Sequence, residues 1–543
     1  MNIKSLWERL KKHSSLLIVL LILAAGIAAY ANSFQNEFVY DDINGIVNNT
    51  YIKDWKFFPN YFSQNFLAGA GFLDNYWRPI LLTTFSAEWH LWKNWVPGFH
   101  IVNTSVHILN AILVFFILFY LFSAKIPAAI AAIIFAIHPL QTEAVTYISG
   151  LADPLSLLFL LIGIYLFIKI RTSTLDLKNR NINYLIIYIT FLLALMTKER
   201  SVIFPALLIL IDIFIWKTRE ILEIPFIKFA KQVFFRVTPF ILTSIGFLVL
   251  RATTLNFQNI FNIHEVSNYY TEHITSRLFT FFSVLPTYFS LFFAPIGLHM
   301  ERSTEVLFSQ TLFEPWVLIG TGLILALILF AIISWKEYPT YTFGILWFFI
   351  TIFPASGIVV PVAGILYEHY MYAPIIGLSF LIGLFGFDIY KKFENKKIHY
   401  AIIILGLTIV VFFITQTAIQ NRVNWKNQIN LAKNTLRYIP QNLRMGNGLG
   451  MLYAEAEDFE NSEKTYKSII FYNPNSPIPH HNLGNLYYQM GKLEEAEKEY
   501  KIAISISPES PLPYQALYRL FLDKKDLENA EKILNQLKLL RRP

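Results

Sequence analysis

The sequence predicts an all-α protein, a polytopic bundle of membrane helices followed by a soluble array of helical repeats. Three observations carry this. Of 543 residues, 55% are hydrophobic and only 15% charged, and the mean hydropathy is +0.45, too apolar for a water-soluble protein of this size. Apolar runs long enough to form helices recur through the first 420 residues. Past residue 442 the chain becomes charged and superimposes on itself at a shift of 34 residues, the mark of a repeat array. The expected domains are a membrane unit over 1 to 420 with a long first outer loop at 32 to 98, a linker helix over 421 to 441, and a repeat unit over 442 to 543.

Taken in order, the basic residues Lys4, Arg9, Lys11 and Lys12 precede an apolar run from Leu16 to Ala31. Its length and the spans that follow favour a retained anchor over a cleaved signal. With this run at 15 to 31, further runs lie near 99 to 122, 126 to 138, 151 to 170, 183 to 197, 201 to 216, 237 to 255, 276 to 297, 316 to 335, 340 to 354, 367 to 388 and 398 to 416. Lys and Arg gather at the N-terminus, at Lys125, in the 169 to 180 and 217 to 236 loops, at Lys336, and at Lys391, Lys392, Lys396 and Lys397. Those connections should be cytoplasmic. The 252 to 275 loop and the 355 to 366 turn contain no Lys or Arg and belong outside with the long first loop. If every run crossed, the KKFENKK loop would fall on the wrong side. Treating 276 to 297, which carries Pro286 and Pro295, as re-entrant or interfacial leaves about eleven spans and places the C-terminal repeats outside.

The runs ending at His138, Thr197 and Trp216 hold thirteen to sixteen residues, short of the ~20 a bilayer requires. Their polar ends should sit below the membrane surface in a cavity on the outer side. Zero cysteines exclude disulfides and thiolate metal sites. With the Lys-, Ile-, Asn- and Phe-rich composition, this points to a bacterial inner membrane with the repeats in the periplasm, or to an endoplasmic reticulum membrane with luminal repeats if the source is eukaryotic. Nucleic acid is excluded as a partner, because the topology rule already accounts for the basic residues. Membrane lipid is an obligatory one.

In the repeat unit Leu449, Leu483 and Leu517 coincide, as do Leu452, Leu486 and Leu520, then Phe459, Leu493 and Leu527, and Pro474 with Pro508. The central copy, NLGNLYYQMGKLEEAEKEYKIAISISP, places Gly and Ala where two antiparallel helices approach closely, and it resembles a tetratricopeptide repeat. Lys525 replaces the turn glycine of the third copy, which reads as a cap. Such an array offers a groove for a peptide or protein; the bland reading is an assembly module.

The chemistry-bearing residues fall on the outer side. Asp41 and Asp42 follow the first span in FVYDDINGIVNN. A carboxylate there suits a general base or a metal ligand, and the plainer reading is an Asx turn or helix N-cap. HPLQTEAVTYISGLADP contributes His138, Glu143 and Asp153; TKERSVIFP contributes Lys198, Glu199 and Arg200; NYWRPILLTTFSAEWH contributes Arg78; LYEHYMYAP contributes Glu368 and His369. Charge at membrane depth is expensive and marks function by default. Together these residues suit attack on a lipid-linked sugar phosphate: Lys198, Arg200 and Arg78 stabilise the departing phosphate, and Asp41 or Asp42 takes the proton of the acceptor hydroxyl. Single displacement inverts the anomeric centre, and no phosphate-binding Gly loop is required. No spacing dictates a metal; were a divalent ion used, Asp41, Asp42, Glu143 and His138 are its candidate ligands.

The order of blocks, FVYDDINGIVNN, WRPI, GFHIVNTSVHILNAILVF, FAIHPLQTEAVTYISGLADPLSLLF, TKERSVIFPALLILID, FPASGIVVPVAGILYEHYMYAPIIG, NRVNWKNQINLAKNTLRYIPQN and then the repeats, resembles the transmembrane-and-TPR O-mannosyltransferases and their bacterial relatives, of the GT-C glycosyltransferase superfamily. The resemblance covers nearly the whole chain. It implies a GT-C membrane enzyme that moves mannose or a similar hexose from a polyprenyl-phosphate donor, its co-substrate, to Ser or Thr of exported proteins; the repeats are expected to bind the acceptor. It implies that Asp41, beside Asp42, is catalytic and that Lys198 and Glu199 line the donor site. The chain departs from the family pattern at Gln141, where a second histidine is usual, at Leu151, where an arginine is usual, and at His369, which replaces the arginine of a late Glu-Arg pair; Arg200 stands where relatives often lack charge. A non-catalytic membrane-anchored scaffold for envelope assembly is the alternative. A transporter is disfavoured, since its charges would line a whole pathway.

Overall fold

Long runs of Leu, Ile, Phe and Ala with polar residues at their ends leave the backbone no solvent partners inside a bilayer, so each run closes its own hydrogen bonds as a helix. The computed structural model describes residues 14–172, 177–218, 225–257, 268–362 and 364–540; Lys4, Arg9, Lys11 and Lys12 lie outside them. The chain divides into two compact units, one of residues up to 298 with 306–426, the other of 299–305 with 427–543.

In the first unit every apolar run is a helix: α1 (Ser14–Tyr30), then a helix of the first long loop, α2 (Pro79–Trp92), α3 (Val96–Phe122), α4 (Lys125–Ile137), α5 (Ala152–Thr172), α6 (Leu177–Leu195), α7 (Phe204–Thr218), α8 (Phe226–Ala252), α9 (Ile274–Phe293), α10 (Pro315–Glu337), α11 (Pro339–Ile352), α12 (Ile375–Lys392) and α13 (Lys396–Val423). Among the described residues seven helices are long and apolar enough to cross a membrane, or eight if Lys125–Ile137 and Pro139–Val145, bent by 53°, make one span. The expected count of about eleven is therefore not reached by length and composition. Polar ends are the reason in several cases: α6 opens with Lys178 and Arg180, and α12 closes with Asp388, Lys391 and Lys392. The expected re-entrant stretch is the single helix α9, with Pro286 inside it. The chain is an integral membrane protein.

Two apolar clusters hold this unit. The larger joins α3 to α7 with α9, α11 and α12 through side chains such as Phe115, Phe135, Phe204, Tyr288 and Phe348. Close helix contact relies on small residues: a Cβ on Gly377 of α12 would stand 2.3 Å from the carbonyl oxygen of Gly344 on α11. The smaller cluster lies under the first long loop, where Ile46, Ile52, Tyr61 and Phe66 pack with Leu81, Phe85, Phe99 and Leu151.

The second unit begins with α14 (Gln428–Tyr438) and continues as three helix pairs: α15 (Leu443–Glu455) with α16 (Phe459–Tyr472), α17 (Pro477–Gln489) with α18 (Leu493–Ile506), and α19 (Pro511–Asp523) with α20 (Leu527–Leu540). Equivalent helices start at the 34-residue period of the sequence. Gly450 and Gly484 admit the rings of Tyr466 and Tyr500, 2.5 and 2.6 Å from where a Cβ would lie.

Candidate active site

The residues expected to carry the chemistry are organised by the segment from His138 to Asp153, which links α4 to α5. Proline at 139 ends α4; the chain then makes a 3-10 turn, a short helix over Thr142–Val145, and a second 3-10 turn over Ile148–Leu151. Gly150 lets it fold back, since a Cβ there would lie 2.5 Å from the carbonyl oxygen of Glu143. Two asparagines on apolar helices hold the segment. Asn103 of α3 donates to the carbonyls of Tyr147 and Ile148 at 3.2 Å, and Asn421 of α13 accepts from the Thr146 hydroxyl at 2.6 Å.

The two opening carboxylates have different surroundings. Asp42 is fully buried and accepts three hydrogen bonds, from the Val39 N–H at 3.0 Å, the Ser149 N–H at 2.7 Å and the Ser149 hydroxyl at 2.5 Å. Burial pushes its carboxyl up to about 7 although all three donors favour the ionised form. It makes no helix-cap hydrogen bond, so the N-cap reading does not describe it. Asp41 is half-buried, and its N–H donates to the Tyr147 hydroxyl at 3.1 Å. The residue before it, Tyr40, has φ 54°, a left-handed conformation costly for a bulky side chain. Tyr147 in turn stacks on Trp425, with centroids 5.2 Å apart.

On the far side of the same segment lie the cations. Lys198 lies in the break between α6 and α7, is buried, and pairs with Asp153 at 2.6 Å. Arg78 pairs with Glu199 at 3.5 Å and lies 4.5 Å over the Tyr76 ring. Arg200 sits 3.8 Å over the Tyr370 ring and, among the described residues, has no carboxylate within the 4.0 Å of an ion pair. Ser149, which holds Asp42, and Asp153, which holds Lys198, are four residues apart on a helical path, or on the order of 6–8 Å. The acidic pair and Lys198 thus hang from one short piece of backbone.

The other expected residues have structural partners. Glu143 accepts from the His369 N–H at 2.9 Å and lies 2.8 Å from its Nδ1, so the imidazole meets a carboxylate. Glu368 is buried. His138 Nδ1 accepts the Leu140 N–H at 3.2 Å, which makes Nε2 the donor to the Phe292 carbonyl at 2.9 Å. Both ring nitrogens are engaged. Among the described residues no three His, Asp or Glu side chains gather as a metal set; Asp42, Glu143 and His138 turn to three different partners, so the four residues considered as metal ligands do not form one site. Leu151 is fully buried in the smaller apolar cluster and supplies no charge. Gln141 is buried, its amide donating to the Tyr372 carbonyl at 3.4 Å.

Four residues here were not anticipated. Ser149 and Tyr147 hold the acidic pair, Tyr370 carries Arg200, and Arg251 at the end of α8 donates to the Asn75 carbonyl at 2.5 Å, where it feels the charges of Glu199, Arg78 and Asp74. Asp74 accepts from the N–H groups of Leu67 and Tyr76, and burial raises its carboxyl to about 6.

Comparison with known proteins is consistent over much of the chain. A family model described as TPR repeat matches residues 484–517. A protein O-mannosyl-transferase of Caenorhabditis elegans is 25% identical over 464 residues, covering 83% of this chain and 62% of that protein. The protein O-mannosyl-transferase TMTC4 of Homo sapiens is 24% identical over 479 residues, covering 80% of this chain and 64% of that protein. The chain thus spans less than two thirds of these relatives' lengths. Among solved structures, an Archaeoglobus fulgidus oligosaccharyltransferase tethered with an acceptor peptide containing the NVT sequon aligns with a TM-score of 0.42 and 13% identity, over 83% of this chain and 59% of that one.

Proposed function

We propose that this chain, homologous over most of its length to protein O-mannosyl-transferases, is itself a GT-C-type membrane glycosyltransferase that moves mannose or a similar hexose from a polyprenyl phosphate to a Ser or Thr hydroxyl of an exported protein. The observation that carries this reading is the shared backbone segment, which holds the acidic pair through Ser149 and Tyr147 and Lys198 through Asp153.

In this reading Asp41 is the base and Asp42 its support. Asp42 has its oxygens committed to Val39 and Ser149, which fixes the loop, while half-buried Asp41 faces the acceptor. The hydroxyl oxygen attacks the anomeric carbon as its proton passes to the Asp41 carboxylate. The bond from that carbon to the phosphate oxygen breaks, and the electron pair leaves with the phosphate. Lys198 and Arg78 are partly neutralised by Asp153 and Glu199. Arg200, held on an aromatic face, is the cation best placed to take the new negative charge. The repeat unit binds the acceptor polypeptide on the outer side of the membrane.

The test is transfer by the purified full-length protein in lipid nanodiscs, with polyprenyl-phosphate mannose and a Ser/Thr peptide. The expected product is an inverted glycosidic linkage, and Arg200→Ala lowers the rate by about 10²-fold. Absence of any peptide glycosylation across sugar donors, with exported proteins unaltered in cells lacking the gene, would favour the scaffold reading.

A further inference from the structure

A second charged pocket lies at the opposite end of the helices that carry the candidate active site. Arg171 is eighteen residues beyond Asp153 on α5, about 27 Å along the axis. Arg236 is fifteen residues before Arg251 on α8, about 22 Å away. Arg180 lies at the start of α6, whose other end leads to Lys198.

These ends enclose a cavity of about 550 Å³ lined by Ile170, Arg171, Arg180, Tyr184, Arg236 and Phe240, among others. Behind it, fully buried Asp212 of α7 accepts from Arg171 Nε at 2.6 Å and from Arg236 Nε at 2.9 Å. One carboxylate stands between two guanidiniums, and the third arginine is on the wall. Among the described lining residues none is acidic, so the pocket is net positive. A buried ion cluster of this kind is a poor stabiliser by itself. It does hold two planar guanidiniums rigidly, with N–H groups beyond those that two carboxylate oxygens can engage. The mouth is greasy: Leu185 and Ile189 of α6 and Phe234, Phe235 and Leu242 of α8 are exposed on the neighbouring faces, which in a bilayer meet lipid chains.

We propose that this pocket binds the phosphate of an anionic lipid headgroup, with the acyl chains along α6 and α8. The chemistry recognised is a phosphate anion, and free phosphate is the other source of it.

The test uses the full-length protein, delipidated in detergent and followed by native mass spectrometry. One arm offers equal phosphatidylglycerol and phosphatidylcholine; the other offers inorganic phosphate alone. Wild type is expected to retain phosphatidylglycerol over phosphatidylcholine, and Arg180→Gln to weaken that retention about five-fold. Arg180→Glu weakens it further, and Arg180→Lys preserves it, which separates loss of charge from loss of fold at an exposed position. Binding of inorganic phosphate with the same dependence on residue 180 would keep the phosphate site and assign free anion as its source. With no binding of phosphate that depends on residue 180, either equal retention of both lipids or retention indifferent to all three substitutions would overturn the site.

Discussion

At the scale of single residues, adjacent identical side chains have opposite fates. Asp42 is swallowed by the loop and hydrogen-bonded on both oxygens, whereas Asp41 is half-buried next to a strained tyrosine. The consequence for Asp42 can be measured. Its carboxyl is raised from 3.8 to about 7, so between those values the folded chain holds a proton that the unfolded chain has released. The stability it contributes is therefore greatest at the acid end and falls as pH rises through that window. The melting temperature of Asp42→Asn should depend less on pH between about 4 and about 7 than that of wild type; parallel curves would show that burial does not perturb this group. The sequence singled out the acidic pair, the Lys-Glu-Arg cluster and Arg78 as candidates from residue type and position near membrane ends. It could not show that the Asp42 carboxylate is held by Ser149, more than a hundred residues away. Nor could it tell that His138 spends both nitrogens on backbone groups, since a histidine before Pro139 looks the same whether it caps a helix break or binds a ligand.

At the scale of elements, legibility followed periodicity. The 34-residue repeat was readable because each copy must bury the same helix face against its neighbour, and the helices begin at that spacing. Apolar runs were readable as helices, yet their number as spans was not, since the polar ends of α6 and α12 blur where a crossing stops. The repeat turns carry a further prediction. Glu457, Gly491 and Lys525 occupy equivalent positions, and all three are left-handed, with φ of 58°, 76° and 55°. Only the middle one is glycine. Glu457→Gly and Lys525→Gly should each stabilise the repeat unit by about 1 kcal/mol, and Gly491→Ala should destabilise it by a similar amount. Thermal denaturation of the three variants checks this; no gain at either charged position would mean the turn relaxes without cost.

At the scale of the whole molecule, sidedness joins the proposed chemistry to exported acceptors. The chain has no cysteine, so single cysteines report topology without background. Lys56→Cys in the first loop and Lys464→Cys in the repeat unit should react with a membrane-impermeant maleimide on intact cells or sealed right-side-out vesicles, and Lys396→Cys only after permeabilisation. Labelling in the reverse pattern would put the acidic pair on the side away from exported proteins. The most direct measurement is sugar transfer by Asp41→Asn beside wild type, with lipid-linked donor and peptide saturating. Removing the base while keeping the side chain's shape should lower kcat by about 10²-fold or more and leave donor affinity unchanged; undiminished transfer would contradict Asp41 as the group that accepts the hydroxyl proton.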